Sequence, residues 1–415
     1  MTNRQEKIIL LLLAAINFTH IIDFMIMMPL GPQLMRFFKI SPQAFGYLVS
    51  SYTFSAGVSG FLMAFFVDRF NRKSVLLLGY IGFVVGTIGC GIAPTYELLM
   101  TARIVAGLFG GLIGAQVLSI VGDIIPFERR GQAMGIVMTA FSAASVLGVP
   151  FGLFFANMMT WHAPFIFVGI MGAVIIPWVY VYLPNMNGHI QASQSFNPMR
   201  VILPILQSSY QQLGILLMLV LIFGQFVMIP YLSPYMVANV GFQEMELPLI
   251  YFCGGFLTLF TSPVVGKLAD KLGKFQVLTV GILLSSMMVL VVTNLPAVPL
   301  YVALIFTTLF FIFTGARIIP AQAITTSLVP PQQRGSYMSI LSSLQQLAMA
   351  FAALVAGFII DKDTAGHFLH YSYIGYLSVT MSFIGIFVAM RLRKASEKNA
   401  FHTVQPTQEL SVKEA

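Results

Sequence analysis

Ionisable side chains are costly inside membrane-length apolar stretches, and this sequence places four there: His20, Asp23, Arg103 and Arg317. Asn17, His20 and Asp23 recur every third residue, so on a helix they lie along one polar stripe. Such a stripe faces a cavity or another helix, not lipid. Asp23 falls about seven residues before the end of its apolar run and Arg103 about seven after the start of its own, which sets both roughly 10 Å below one surface. They can meet if the first and fourth runs are neighbours. Two chemistries fit Asp23. One is a permanent ion pair or helix–helix hydrogen bond. The other is a proton-titrating carboxylate, since burial favours the neutral form and a nearby guanidinium the charged form. His20 either titrates beside it or fills space through a hydrogen bond. Arg317 lies about two-thirds of the way along the tenth run. It can attract an anionic substrate, pair with Asp23 in one conformation, or bond a helix-end carbonyl. Gln116, Gln225, Tyr231, Tyr235, Gln322 and Gln345 are further cavity candidates, with Asn17.

The elements that must position these residues follow from composition. The chain has 415 residues, 58% hydrophobic and only 9% charged, with mean hydropathy +0.87. An ordinary soluble domain is far more polar. Apolar runs of spanning length recur near 8–30, 44–66, 74–93, 97–122, 133–157, 162–183, 211–237, 246–267, 276–296, 299–328, 336–360 and 370–391. They are continuous and not alternating, which predicts helices and not barrel strands. The fold class expected is an all-α membrane protein of twelve transmembrane helices. The net charge of +8 needs no nucleic acid. With alternating crossings, Arg36, Lys39 and Lys362 fall on one side, and every other Lys or Arg outside the spans falls on the side of Met1. Basic residues are retained in the cytoplasm, so both termini are expected there, in a multi-pass protein of the cytoplasmic (inner) membrane. Cys90 and Cys253 lie in apolar runs and read as core residues. The first run is too long for a cleaved signal peptide. Residues 184–208, rich in Asn, Gln and Ser, read as a cytoplasmic linker between six-helix halves at 1–183 and 209–391, with 392–415 a cytoplasmic tail that is polar and disordered from Asn399 to Ala415.

Two motifs repeat half a chain apart. Asp68-Arg69-Phe70-Asn71-Arg72-Lys73 between the second and third runs returns as Asp270-Lys271-Leu272-Gly273-Lys274 between the eighth and ninth. Pro126-Phe127-Glu128-Arg129-Arg130-Gly131 after the fourth run returns as Pro330-Pro331-Gln332-Gln333-Arg334-Gly335 after the tenth. Repetition at this period means two copies of one structural unit. The first pair resembles the signature loop of the major facilitator superfamily, Gly-x-x-x-Asp-Arg-x-Gly-Arg-Lys. The second copy keeps both Gly residues and the Asp, with Phe275 at its last position. The first copy departs at Ala64 and at Asn71, where Asn can sustain a positive-φ turn.

The resemblance implies two pseudo-symmetric six-helix bundles with substrate bound between them, worked by alternating access. Asp68, Arg72 and Asp123 resemble the charge cluster that latches the cytoplasmic side. Asp270 and Lys274 are its repeat, expected to matter less because Ser327 stands where Asp123 would recur. Arg103 with Gly107 resembles the Arg-x-x-x-Gly of the fourth helix, implicated in proton transfer in proton-coupled branches. Gly148-Val149-Pro150-Phe151-Gly152 resembles the antiporter signature of the fifth helix in altered form, and it also fits an ordinary proline kink. The expected function is proton-coupled efflux of a small organic molecule such as a drug or sugar; the alternative is proton-coupled uptake of a sugar or organic acid. The expected partners are substrate, protons and the lipid bilayer, with the chain a monomer. No nucleotide-binding loop, metal-ligand cluster or nucleophile constellation occurs in the sequence, so no enzyme activity, cofactor or metal is expected.

Overall fold

A computed structural model describes residues 3–63, 70–126, 129–186, 207–329 and 334–404. Among these, eleven helices are long and apolar enough to cross a membrane. The twelfth, second in chain order, is Pro42–Met63, whose Ser, Gly and Tyr residues dilute its hydropathy while its length suffices. The expected spans are present in order, and the protein is a twelve-helix, multi-pass membrane protein.

The helices pack as two copies of one arrangement. In the first half the second and third spans pack on the fourth, the third on the sixth, and the first on the fifth and sixth. In the second half the eighth and ninth pack on the tenth, the ninth on the twelfth, and the seventh on the eleventh and twelfth. Each contact is the other half's contact shifted by six spans. Among the described residues the halves meet chiefly where the second span packs on the eleventh and where the segment Ala144–Met158 of the fifth packs on the eighth.

One end of the bundle carries Arg72, Arg129, Arg130, Lys271, Lys274, Arg334, Arg391 and Arg393, and we call it the basic end. At the opposite end a single buried apolar cluster joins both halves, from Ile26, Leu34 and Phe45 to Met236, Ile250 and Ala353. At the basic end each half keeps its own core, one around Leu13, Tyr80 and Ile120 and one around Leu217, Ile282 and Tyr337. The molecule is therefore sealed across the halves at the end away from its basic residues.

Polar contacts complete that seal. Arg36 Nη1 and Nη2 donate to Glu244 Oε1 and Oε2 at 2.6 and 3.0 Å, Asn157 Nδ2 donates to the Glu244 carbonyl at 3.0 Å, and Gln33 Nε2 donates to Asn157 Oδ1 at 2.6 Å. The hydrogen bonds to Glu244 raise the Arg36 guanidinium above its ordinary value. The Arg36 side chain is 70% exposed, so the pair is screened and contributes about 0.2–1 kcal/mol. Charge reversal, Arg36→Glu or Glu244→Arg, should favour opening at this end by about fivefold at most, and the double swap should restore the seal. Labelling rates of single cysteines placed in the seal measure this. Equal rates in the single and double variants would assign no sealing role to the pair.

Four details differ from expectation. The first span is Asn3–Ile26, ending before Pro29, and the chain turns into a short helix, Gly31–Phe38. The seventh span is not continuous: Ser209–Phe226 stops, and the chain resumes as Ile229–Tyr235 and a π turn, Met236–Val240. Pro230, with no N–H to donate, sits at the start of the second piece. An antiparallel ribbon, Asp361–Lys362 against Phe368–Leu369, precedes the twelfth span, where only helix was expected. In its turn the His367 N–H donates to Asp363 at 2.8 Å and holds that carboxyl below its usual range. The twelfth helix runs Tyr371–Val404, beyond the expected end at 391, through Arg, Leu, Lys and Ala residues that favour helix. Most of the 184–208 linker lies outside the described residues.

Candidate functional site

Four spans of the first half converge on Asp23, which is 0% exposed. Arg103 Nη1 of the fourth span donates to Asp23 Oδ2 at 2.8 Å and reaches the Asp23 carbonyl at 3.3 Å. Thr87 of the third span donates through its hydroxyl to Asp23 Oδ1 at 3.0 Å. Arg103 is 1% exposed, and its guanidinium carbon stands 4.2 Å from the ring centroid of Tyr52 on the second span. This is a desolvated ion pair with both carboxylate oxygens occupied. Removing one partner from such a pair costs about 3–5 kcal/mol, because the other charge stays buried.

One turn earlier, His20 lies edge-on to Phe83, with ring centroids 5.5 Å apart. Its Nε2, the Tyr52 hydroxyl, Arg103 Nε and Gln116 Oε1 are buried without a hydrogen-bond partner among the described residues. The sequence located Asp23, Arg103 and His20. It missed Thr87 and Tyr52, since neither residue type is rare enough in these spans to stand out.

The remaining cavity candidates do not form one group. Asn17 Nδ2 donates to the Val137 carbonyl of the fifth span at 3.4 Å. Gln225 is half-buried in the last turn of Ser209–Phe226, Gln345 is half-buried in the eleventh span, and Gln322 Nε2 stands 3.9 Å from Met338 Sδ. Tyr231 belongs to the seal: its hydroxyl donates to the Pro42 carbonyl at 3.0 Å, and the Ala353 carbonyl is 3.3 Å away. Tyr235 donates to the Leu295 carbonyl at 2.9 Å. Arg317 is 0% exposed and turns into its own half, where Nη1 donates to Ser382 of the twelfth span at 2.7 Å and to Ser285 of the ninth at 3.4 Å. It meets neither Asp23 nor a helix-end carbonyl. The sequence set its depth, and the serines on neighbouring spans set its direction.

At the basic end, Arg72 Nε and Asp123 Oδ2 form an ion pair. The pair lies within the first half and is present while the opposite end is sealed, so it does not by itself mark a closed basic end. Asp68 lies outside the described residues. Asp270 is exposed and Lys274 half-buried at the repeat. Asn71 does not take the positive φ expected of it. With φ −59° it caps the third span, its Oδ1 accepting from Lys73 N at 2.9 Å. Gly273, its counterpart, has φ +100°, a conformation that disfavours any side chain.

The Gly148-Pro150-Gly152 segment shapes the fifth span. A π turn, Ala144–Gly148, precedes Val149–Met158, and Pro150 has no N–H for the ladder there. Gly148 lies so close to Ile22 that an added Cβ would stand 2.4 Å from its side chain, and Gly152 faces Ile26 in the same way at 2.7 Å. The motif thereby seats the fifth span against the helix that carries Asp23.

The family model described as Major Facilitator Superfamily matches residues 13–312 and 214–411. The chain belongs to that superfamily and is a transporter, not an enzyme. It is 25% identical over 342 residues to an uncharacterised MFS-type transporter, YceJ, of Bacillus subtilis (strain 168), covering 82% of this chain and 86% of that one. It is 22% identical over 378 residues to Multidrug resistance protein 2 of the same organism, covering 90% and 92%. Its fold is similar to the crystal structure of a D-xylose-proton symporter, with TM-score 0.74, 18% identity, and coverage of 93% and 96%.

Proposed function

We propose that this transporter expels a small organic molecule in exchange for protons, with Asp23 as the proton-carrying group. The observation that carries the reading is the buried Asp23–Arg103 pair with Thr87 on its second oxygen. It is a lone intramembrane carboxylate whose charge depends on one guanidinium, so any movement that separates them changes its hold on a proton. Arg103 tunes the carboxylate and His20 stands beside it. Efflux is supported by similarity to Multidrug resistance protein 2 over most of both chains and by the antiporter-like Gly148-Pro150-Gly152 segment. The basic end faces the cytoplasm of a cytoplasmic membrane with both termini inside, by the retention of Lys and Arg there. The sealed end then faces outward, and the conformation described is one closed to the outside.

The halves are 1–183 and 209–391, joined through 184–208, and substrate binds between them. Asn17, Gln116, Gln225 and Gln322 are the polar side chains we assign to its surroundings. Asp68, with Arg72 and Asp123, forms the cytoplasmic latch, in which Asp270 and Lys274 play the lesser part. Everted membrane vesicles test the direction. With an inward-acid gradient, an exporter accumulates a compound to which the overexpressing strain has gained resistance. Accumulation in right-side-out vesicles alone would make the protein an uptake symporter.

A further inference from the structure

We propose that Tyr52 is the positioning residue through which contact between the two halves sets the Asp23–Arg103 pair; this rests on Asp23 being the proton-carrying group. Three rings stack in series from the half-to-half boundary to the pair. Phe226 of the second half lies against Phe24, with centroids 6.1 Å apart and planes 29° from parallel. Phe24 lies against Tyr52 at 5.8 Å and 26°. The Tyr52 ring then holds the Arg103 guanidinium at 4.2 Å, a cation–π contact in a desolvated site.

Each link has a mechanical reason. Phe24 is the residue after Asp23, so a ring fixed here fixes the backbone that presents the carboxylate. Tyr52 is 0% exposed, and its hydroxyl has no hydrogen-bond partner among the described residues. What the residue contributes here is therefore its ring. Phe226 is the last residue of the helix Ser209–Phe226 in the seventh span, where the chain breaks before Pro230. A break is where a helix changes direction when the halves rock, so Phe226 is placed to leave Phe24 as the sealed end opens. The Tyr52 ring then loses its outer support, the guanidinium is held less closely, and the carboxylate binds its proton more readily. The state of the seal is thus read at Asp23 through differential contacts in the two conformations.

Infrared titration of the purified protein in lipid nanodiscs tests this without a known substrate. The Asp23 carboxyl band is the one that Asp23→Asn removes. Tyr52→Leu should move its titration midpoint to higher pH by between about 0.4 and 1.5 units, the span of a cation–π contact at one pH unit per 1.36 kcal/mol. Tyr52→Phe keeps the ring and should leave the midpoint in place. Phe226→Ala, at a half-buried position and independent of the folding of the Tyr52 variants, should move it the same way by less. An unchanged midpoint in Tyr52→Leu or in Phe226→Ala overturns the inference. If Asp23→Asn removes no titrating band, the coupling role of Asp23 fails instead, so the two failures are distinct.

Discussion

Asp23→Asn is expected to abolish transport driven by a pH gradient while leaving the carrier folded. Asn is nearly isosteric, and its amide oxygen can still accept from Thr87 or Arg103. What it cannot do is exchange a proton. Arg103 would keep a buried charge with only an amide dipole opposite, so a loss of stability of about 3 kcal/mol is expected as well. Activity must therefore be normalised to folded protein in the membrane. A variant locked in one charge state still cycles with substrate bound on both strokes, so exchange of labelled for unlabelled substrate should survive. Gradient-driven accumulation should vanish, because a group that cannot bind a proton gives the pH gradient no differential interaction with the two states.

The second large effect is expected for Arg103→Gln. The carboxylate loses its counter-ion in a site with no exposure, and an unpaired buried charge is resolved by taking up a proton. The transport pH profile should accordingly move to higher pH. The sign of the stability change follows. In the variant the folded state holds a proton that the unfolded chain releases, so stability is present at low pH and lost as pH rises. Thermal melts of the variant at several pH values check this, and a melt independent of pH would count against the pairing. Arg103→Lys should not rescue fully, because an ammonium lacks the planar face that lies over Tyr52.

Asp23 and Arg103 were legible because charge in an apolar run is rare, and matching their depths needed only the helical rise. Their partners were not. Thr87 resembles the many hydroxyl residues that bond back to their own helix, such as Thr53 and Thr293. Tyr52 is one of 15 tyrosines. Depth was readable and direction was not, so Arg317 and Tyr231 were assigned to the cavity while one turns into its own bundle and the other into the seal. The twelve spans and the two-fold repeat were read from run lengths and the duplicated loops. The break in the seventh span was hidden by unbroken hydropathy, marked locally only by Pro230 and, a turn further on, Pro234. Asn71 kept its place in the repeated loop by a different device from Gly273, capping with a side chain where glycine turns the backbone. Arg72 and Asp123 were brought together as their shared end suggested, but which conformation the pair favours depends on motions of whole halves, which spacing does not encode.

One comparison tests most directly whether Asp23 carries the coupled proton. Reconstituted liposomes, loaded with a compound to which the overexpressing strain is resistant, allow exchange at equal concentrations and accumulation against a gradient to be measured on the same preparation. Asp23→Asn should exchange substrate at a rate comparable to the wild type and accumulate none when a pH gradient is imposed. Accumulation at the wild-type level in that variant would contradict the assignment of the proton to Asp23.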